Sequence, residues 1–252
     1  MPLPVESPTI APVYAVVGAT GGIGAALSRR LAARGARLFL GARDEAKLNA
    51  LAAETQASTM SLDATQPEAV DAFMAQAVAT FGQLDGVANC VGSVLLKPAH
   101  ITTNDEWQFT LRQNLDSAFY VLRAATRAMQ GRGGSIVLLS SAAARTGLAN
   151  HEAIAAAKAG IIGLTLSAAA SYAARGIRVN CVAPGLVATP MTARITGNEA
   201  SVKASAAMHA LGRIGAPEDV ARAIDWLLDS ANSWVTGQVI GVDGGLATVR
   251  PR

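Results

Sequence analysis

The chain has 252 residues, 51% of them hydrophobic and 15% charged, which suits one large α/β core and is too apolar for disorder. A net charge of +3 from scattered basic residues gives no argument for nucleic-acid binding. His100, His151 and His209 share no ligand spacing, so no metal site is predicted. Residues 1–12 are rich in proline without an arginine-led apolar segment, which predicts a disordered lead-in and no signal peptide.

The cysteines and the longest apolar stretch bear on the cellular compartment. Cys90 and Cys181 are the only cysteines, and each lies in an apolar run, which predicts reduced core thiols in a cytoplasmic protein. The stretch Ala153–Ala170 is long and apolar, but Lys158 interrupts it. We therefore expect a buried interface helix there, and no membrane partner.

The first predicted element is the apolar run Val13–Val17, which is typical of a strand buried on both faces of a parallel sheet. Gly18, Gly22 and Gly24 follow, where a tight turn, close approach to a pyrophosphate and helix–strand packing each exclude a Cβ atom. Ala25–Leu31 continues with helical periodicity, so its free N–H groups face the turn. This arrangement is an anion site whose usual occupant is a dinucleotide pyrophosphate.

Strands and helices then alternate with short connections. The further predicted strands are Arg37–Leu40, Ser58–Leu62, Gly86–Val91, Ile136–Leu139, Arg178–Val182 and Val239–Val242. The further predicted helices are Glu45–Glu54, Pro67–Phe81, Asn104–Met129, His151–Ala174 and Pro217–Leu228, with one more helix possible between residues 184 and 216. This rhythm predicts a single α/β domain, a Rossmann-type doubly wound parallel sheet flanked by helices, with its ligand crevice at the carboxyl ends of the strands.

Two of these helices carry apolar residues on more than one face. In Asn104–Met129 a spacing of three or four marks one long amphipathic helix, through Trp107, Leu111, Leu115, Phe119 and Leu122. Small or apolar residues also occur elsewhere on this helix and on His151–Ala174: Ala118, Ala125, Ala159, Ile162, Leu166 and Ala169. Each helix can therefore pack on the sheet and still cover a second copy of the chain, so a homo-oligomer is expected.

From Val13 to Gly245 the sequence resembles the short-chain dehydrogenase/reductase family. Its glycine turn, the Pro184-Gly185 pair with Thr189, and Val242–Gly245 match family motifs in the family's order. The resemblance implies one dinucleotide-binding domain over 13–249, a nicotinamide cofactor, a small-molecule substrate, and a homotetramer or homodimer. The implied cofactor contacts are Gly18, Thr20, Gly22, Ile23, Gly24, Asp63, Asn89, Gly92, Lys158, Pro184, Gly185 and Thr189.

The end of the second strand bears on the choice of cofactor. An Asp or Glu there would hold the ribose 2′-hydroxyl of NAD, and an Arg would hold the 2′-phosphate of NADP. Ala42 is followed by Arg43, with no acid until Asp44. Arg43 resembles the family's phosphate-binding arginine, so NADP(H) is expected over NAD(H). The alternative is a solvated loop residue, since Gly21 stands where many NADP-binding members carry a second basic residue.

The catalytic residues of the family are only partly present. Carbonyl reduction by hydride transfer needs an acid that protonates the developing alkoxide. The family supplies a Tyr for this, with a Lys one helical turn later, a Ser and an Asn. Asn114, Ser141 and Lys158 match the last three, but the residue four before Lys158 is Ile154. An isoleucine can neither donate nor accept a proton.

Three hypotheses follow. In the first, His151, three residues before Ile154 on nearly the same helix face, supplies the proton; it could instead be only a first-turn residue behind an Asn150 cap. In the second, the substrate is an imine or activated alkene that does not need this acid. In the third, the protein binds the dinucleotide without turnover, as a sensor or oligomer partner. Asn114 and Ser141 favour catalysis, although both can be structural.

The segment after Thr189 resembles the family's substrate lid, at about residues 190–212. Its apolar and basic side chains fit a mobile amphipathic cover over a small pocket, and they are Met191, Ile195, Met208, Leu211, Arg194, Lys203 and His209. The alternative is an ordinary surface helix. No substrate can be identified from these residues.

Overall fold

The computed structural model describes residues 11–250, so nearly all of the predicted lead-in at 1–12 lies outside the described part. Within it, parallel strands form a seven-stranded sheet in the order β3-β2-β1-β4-β5-β6-β7. The strands are β1 Val13–Val17, β2 Arg37–Ala42, β3 Ser58–Ser61, β4 Gly86–Asn89, β5 Gly134–Leu139, β6 Ile177–Pro184 and β7 Val239–Val242. The predicted doubly wound Rossmann-type sheet is confirmed.

Helices cover both faces of this sheet. They are α1 Gly22–Ala33, α2 Glu45–Thr55, α3 Pro67–Phe81, α4 Asn104–Leu111, α5 Ser117–Ala128, α6 Glu152–Tyr172, α7 Ala193–Thr196, α8 Glu199–Met208 and α9 Pro217–Leu228. Residues of α3, α5 and α6 form one apolar core with the sheet, and residues of α1, α2 and α9 form the other. Because the strands are parallel, all of them end at the same edge of the sheet, where the loops that follow them meet.

Two strand boundaries differ from the prediction and matter for the site. Strand β2 runs on to Ala42, because Gly41 and Ala42 pair with β3, so Arg43 is the first residue after it. Strand β4 ends at Asn89, and Cys90 to Gly92 form a loop instead of continuing the strand.

The single regular helix predicted over Asn104–Met129 is wrong in its middle. A π-helical turn at Arg112–Asp116 joins α4 to α5. Such a turn adds a residue to the helical repeat, so an apolar spacing of three or four no longer keeps one face. Of the five apolar residues, Trp107 and Phe119 are exposed, at 37% and 46%, whereas Leu122 is buried.

Helix α6 with the turn after it, Glu152–Arg175, is long and apolar enough to cross a membrane by length and composition, with a mean hydropathy of 1.6. In this fold it packs against β6, and Ile154, Lys158 and Ile161 are buried along it. These contacts are those of a core helix, as the charged Lys158 indicated.

A buried carboxylate ties α1 to α9. The Asp225 side chain is 3% exposed and accepts hydrogen bonds from Arg30 Nε at 2.6 Å and from Arg34. Arg29, also on α1, pairs with Glu54 of α2 at a similar distance, 2.7 Å, but both side chains are about half exposed. The contact of Asp225 with its arginines is costly to break because the carboxylate is buried. The Arg29–Glu54 pair contributes little because water screens it.

We predict that replacing both partners of Asp225, as Arg30→Met with Arg34→Met, lowers the free energy of unfolding by about 3–5 kcal/mol, because a buried carboxylate is left unpaired. The control Arg29→Met should cost less than about 1 kcal/mol. Urea unfolding of the three proteins measures both values. Equal losses in the double variant and the control would show that burial of Asp225 does not govern this contact.

Candidate active site

A cavity of about 460 Å³ opens at the carboxyl edge of the sheet. Its wall is built from the turn after β1, the loop after β4, the end of β5, the first turns of α6 and the segment after β6. The predicted site residues that line it are Gly22, Ile23, Gly92, Ser141, His151, Lys158, Pro184, Gly185 and Thr189. The predicted site residues that lie outside its lining are Gly18, Thr20, Gly24, Arg43, Asp63, Asn89 and Asn114.

The turn after β1 requires glycines, because it has no room for larger side chains. Gly18 has φ +78°, and a Cβ atom there would lie 2.9 Å from the Cys90 carbonyl carbon. A Cβ atom on Gly24 would collide with the Gly18 carbonyl oxygen. The turn is fixed to β2 because Gly18 and Ala19 both donate their N–H groups to the Gly41 carbonyl, at 2.8 and 3.1 Å. These two glycines therefore let the turn pack closely on the loop after β4 and on itself, and the next residues of the turn, Gly21 to Ile23, form part of the cavity wall.

Helix α1 begins at this turn without a cap. Its N-cap, Gly21, has no side chain to accept the first N–H groups, and no acidic residue lies in the first turn. By contrast, side chains cap α2, α4 and α8, and these are Asp44, Thr103 and Asn198. Gly22 and Ile23, the first residues of α1, line the cavity. Free N–H groups and the positive end of a helix dipole at a cavity wall fit a bound anion such as a pyrophosphate.

Arg43 and Asp63 lie outside the cavity, after the neighbouring strands β2 and β3. Asp63 Oδ1 accepts hydrogen bonds from the Thr65 N–H at 2.9 Å and the Thr65 hydroxyl at 2.8 Å. Burial raises the pKa of the Asp63 carboxyl, but these bonds and the nearby charge of Arg43 outweigh burial and lower it. The Arg43 side chain is exposed and makes no hydrogen bond or ion pair within residues 11–250. Its guanidinium is therefore available to an anionic ligand.

Lys158 places an ammonium group in the cavity wall. Its Nζ donates to the Leu139 carbonyl oxygen at 2.9 Å, and no second partner lies within hydrogen-bond distance among the described residues. Burial lowers the pKa of this ammonium to about 8. The remaining N–H donors fit the hydroxyl groups of a bound ribose, which would satisfy them.

Asn114 does not line the cavity, but it holds the loop after β4, which does. It lies in the π-helical turn, fully buried, and its Nδ2 donates to Ser93 Oγ and to the Thr110 carbonyl, both at 2.9 Å. Its Oδ1 accepts the Ser93 N–H at 3.1 Å. A Cβ atom on Gly92 would lie 3.0 Å from Asn114 Oδ1 and 3.4 Å from Lys158 Nζ. The loop thus runs between these two side chains and is held in place by Asn114.

Two serines of the cavity lining, Ser93 and Ser141, each accept a hydrogen bond at the hydroxyl oxygen. Ser93 Oγ accepts from Asn114, and Ser141 Oγ accepts the Ala143 N–H at 3.2 Å. Because each oxygen is held as an acceptor, each hydroxyl proton can be donated toward a ligand. The sequence analysis missed Ser93, whose signal was a hydroxyl residue directly after the loop glycine Gly92.

Ile154 and His151 lie at the start of α6 and both line the cavity. Ile154 is 5% exposed and lies on the helical face that also carries Lys158. The expectation of an Asn150 cap is wrong: Asn150 adopts the left-handed region, at φ +63°, and His151 is itself the N-cap residue. Its Nδ1 contacts the Ala149 carbonyl oxygen at 2.7 Å, so Nδ1 carries a hydrogen. Nε2 then carries a transferable proton in the imidazolium form.

The segment after Thr189 covers one side of the cavity. Met191, Ile195, Met208 and His209 line the cavity, whereas Leu211, Arg194 and Lys203 do not. His209 is buried; its Nδ1 donates to the Ser205 carbonyl at 2.7 Å, and its Nε2 accepts the Leu186 N–H at 3.2 Å. This side chain fastens the end of α8 to the loop after β6, a role that the sequence did not indicate.

The two cysteines of the chain are free and differ in position. Cys181 is buried in β6, as expected, and Cys90 is partly buried against the core of α1, α2 and α9 but also lines the cavity. Burial raises the pKa of the Cys90 thiol to about 12 and that of Cys181 to about 11. Both are therefore protonated near neutral pH and are poor nucleophiles.

Known proteins are similar to this chain in both sequence and fold. A family profile described as Enoyl-(Acyl carrier protein) reductase matches residues 18–247. Cis-4-hydroxycyclohexanecarboxylate dehydrogenase of Sinomonas cyclohexanicum is 41% identical over 244 residues, which cover 94% of this chain and 97% of that protein. A 2,5-dichloro-2,5-cyclohexadiene-1,4-diol dehydrogenase of Sphingobium indicum is 36% identical over 241 residues, covering 93% and 96%.

A solved structure that contains a bound cofactor has the same fold as this chain. A variant of actinorhodin polyketide ketoreductase, determined with NADPH, superposes with a TM-score of 0.90 at 29% identity, over 95% of this chain and 98% of that one. Members of the family bind nicotinamide dinucleotides and act on small molecules. The chain is therefore a member of the short-chain dehydrogenase/reductase family of oxidoreductases.

Proposed function

We propose that the protein is an NADP(H)-dependent oxidoreductase that transfers hydride to or from a small carbonyl compound, an imine or an activated alkene, with an atypical proton donor. The observation that carries this proposal is a buried ammonium, Lys158, with unused donors, on the same cavity wall as the uncapped start of α1. The two curated relatives, whose names describe dehydrogenases of ring alcohols, favour the carbonyl among these three substrates.

Each part of the cofactor has residues of matching chemistry. The N–H groups of Gly22 and Ile23 would hold the pyrophosphate, Lys158 the nicotinamide ribose and Arg43 the 2′-phosphate. The bound NADPH supplies the hydride. The other proposed contacts, carried over from the resemblance, are Gly18, Thr20, Gly24, Asp63, Asn89, Gly92, Pro184, Gly185 and Thr189.

The reacting oxygen needs donors, and three side chains can supply them. The Ser93 and Ser141 hydroxyls are oriented by N–H groups behind them, and both can hydrogen-bond a substrate oxygen at the cavity wall. His151 as the imidazolium can donate the proton that Ile154 cannot. Binding without turnover is the weaker reading, since a protein that only held the dinucleotide would have no need of further hydroxyl donors in the cavity wall.

The assembly, the lid and the compartment belong to the same proposal. Exposed apolar side chains lie on α4, α5 and α6, and they are Trp107, Phe109, Phe119 and Leu166. We propose that these helices join copies of the chain, as is common in the family. The segment at about residues 190–212 would close over the substrate. A cytoplasmic location fits the free thiols.

The cofactor assignment predicts the behaviour of Arg43→Ala. NADP(H) binding should weaken by about 1.5–3 kcal/mol, about 10- to 100-fold, because a charged donor to the 2′-phosphate is lost, while NAD(H) binding stays nearly unchanged. Lys47→Ala is the control, since it removes a neighbouring exposed cation that pairs with Asp44. Fluorescence titration of both cofactors gives the affinities. Equal losses for NADP(H) and NAD(H) would rule the assignment out.

Because Ile154 stands where the family has its proton-donating tyrosine, we predict that the wild-type protein reduces simple ketones slowly. Ile154→Tyr restores an acid one turn before Lys158, so ketone reduction should rise by about 10²–10⁴-fold. Ile154→Phe is the matched control, because it brings the ring without the hydroxyl and should give no gain. Steady-state rates with NADPH compare the three proteins.

His151→Ala completes this test. If His151 is the proton source in the wild type, kcat falls while NADPH affinity holds, and the exposed His100→Ala leaves both unchanged. If Ile154→Tyr gains nothing on any ketone, with the fold intact and NADPH bound, carbonyl reduction is the wrong reaction for this cavity.

The proposed interface predicts an oligomer at micromolar concentration. Phe119→Arg with Leu166→Arg should reduce the mass measured by light scattering, because charges are placed on the apolar faces that meet. Gln76→Arg on the exposed side of α3 adds one positive charge away from these faces and should leave the mass unchanged. A wild-type protein that is already a monomer would contradict the proposal.

A further inference from the structure

The cavity divides into a polar corner and an apolar end. The hydroxyls of Ser93 and Ser141 and the ammonium of Lys158 belong to the corner. Much of the remaining wall comes from the loop after β4, the segment before α6, α6 itself, the segment after β6 and a residue after β7. The large apolar side chains of this wall are Val94, Leu96, Leu148, Ile154, Leu186, Met191, Ile195, Met208 and Leu246. A ligand that extends beyond the corner therefore contacts hydrocarbon.

The charged and titratable groups of the wall are few. Among the described residues, the lining residues of this kind are Lys158, His151, His209 and Cys90, whose thiol is held neutral by burial, and no Asp, Glu or Arg lines the cavity. His209 uses both ring nitrogens in hydrogen bonds to the backbone. Lys158 lies in the corner, where the proposed cofactor ribose would use its donors. His151 has its Nδ1 on the Ala149 carbonyl, and in the proposed reaction its other proton goes to the reacting oxygen. The large apolar side chains of the wall therefore offer no partner to a carboxylate or phosphate elsewhere on the substrate, and an unpaired anion is costly to desolvate.

The space also limits the size of the ligand. The cavity of about 460 Å³ includes the wall at Gly21–Ile23 and Thr189–Thr192, next to the start of α1. The nicotinamide end of a dinucleotide whose pyrophosphate lies there must share this volume with the substrate. A cavity of roughly 300–1,000 Å³ holds one drug-sized ligand, so a substrate that shares this one with a nicotinamide ring must be smaller, on the order of a single ring.

We propose that the substrate is a small, uncharged, apolar ketone of about one six-membered ring, or the corresponding secondary alcohol. This inference rests on the proposed hydride transfer. In the reduction, the carbonyl carbon gains a hydride from NADPH, the carbonyl oxygen gains a proton, and NADPH leaves as NADP⁺. The inference separates this chain from its relative in Sinomonas cyclohexanicum, whose named substrate carries a carboxylate.

The test compares three ketones that differ in charge and size: cyclohexanone, 4-oxocyclohexanecarboxylate and the methyl ester of that acid. We expect kcat/KM with NADPH to be at least about 10-fold higher for cyclohexanone and for the ester than for the acid, as expected for burying an unpaired carboxylate. A value for the acid that equals or exceeds the others overturns the inference. An ester that is as poor as the acid also overturns it, because size and not charge would then explain the order.

A gain-of-function variant tests the same point from the protein side. Leu96 lines the cavity and is 43% exposed, so Leu96→Arg can place a guanidinium at its rim without burying the charge. It should narrow or reverse the preference against the acid, whereas the control Leu96→Met should keep it. An unchanged preference in Leu96→Arg counts against the inference.

Binding separates this inference from the proposed reaction. Should no ketone turn over, the proposed function fails, and calorimetric titration of the NADP⁺ complex with cyclohexanol and cyclohexanecarboxylate still decides the preference for uncharged ligands. Tighter binding of cyclohexanol supports an uncharged ligand. Tighter binding of the carboxylate, or no binding of cyclohexanol, overturns it.

Discussion

Lys158 places an ammonium group inside a mostly apolar cavity, with one carbonyl oxygen as its hydrogen-bond partner. Burial lowers its pKa to about 8, from 10.5 in the unfolded chain. Between these values the unfolded chain binds more protons, so folding stability rises with pH across this window. At and below about pH 8 the charged form costs folding on the order of 3 kcal/mol. A ligand that accepts hydrogen bonds from this ammonium recovers part of the cost, which couples ligand binding to stability.

The position of Lys158 follows from the parallel sheet. Because every strand ends at one edge, the loops after β1, β4 and β6 meet beside the carbonyl of Leu139 at the end of β5. The turn at Gly18 excludes side chains, and Asn114 fixes the loop at Gly92 against the lysine. Backbone donors, one ammonium and two hydroxyls therefore converge on a single cavity whose far end is hydrocarbon. This arrangement suits a nucleotide at the corner and an uncharged substrate beyond it.

Much of this could be predicted from the sequence, because the motifs are local. The glycine turn, the alternation of elements and the position of Ser141 at a strand end each depend on a few neighbouring residues. The roles of Ser93 and His209 could not be predicted, since their partners Asn114 and Leu186 are distant in the chain. Periodicity likewise missed the π-helical turn, which carries Asn114 with its hydrogen bonds to Ser93, a residue distant in the chain.

The proposed active site requires that the nicotinamide lie beside Lys158 and face Ile154. The direct measurement is a nuclear Overhauser experiment on protein with ¹³C-labelled isoleucine methyl groups and saturating NADPH. The account predicts cross-peaks between the nicotinamide protons and the Ile154 methyl group, and none with Ile101, which is exposed and outside the cavity wall. NADPH that binds stoichiometrically without a cross-peak to Ile154 would contradict the assignment of this cavity as the active site.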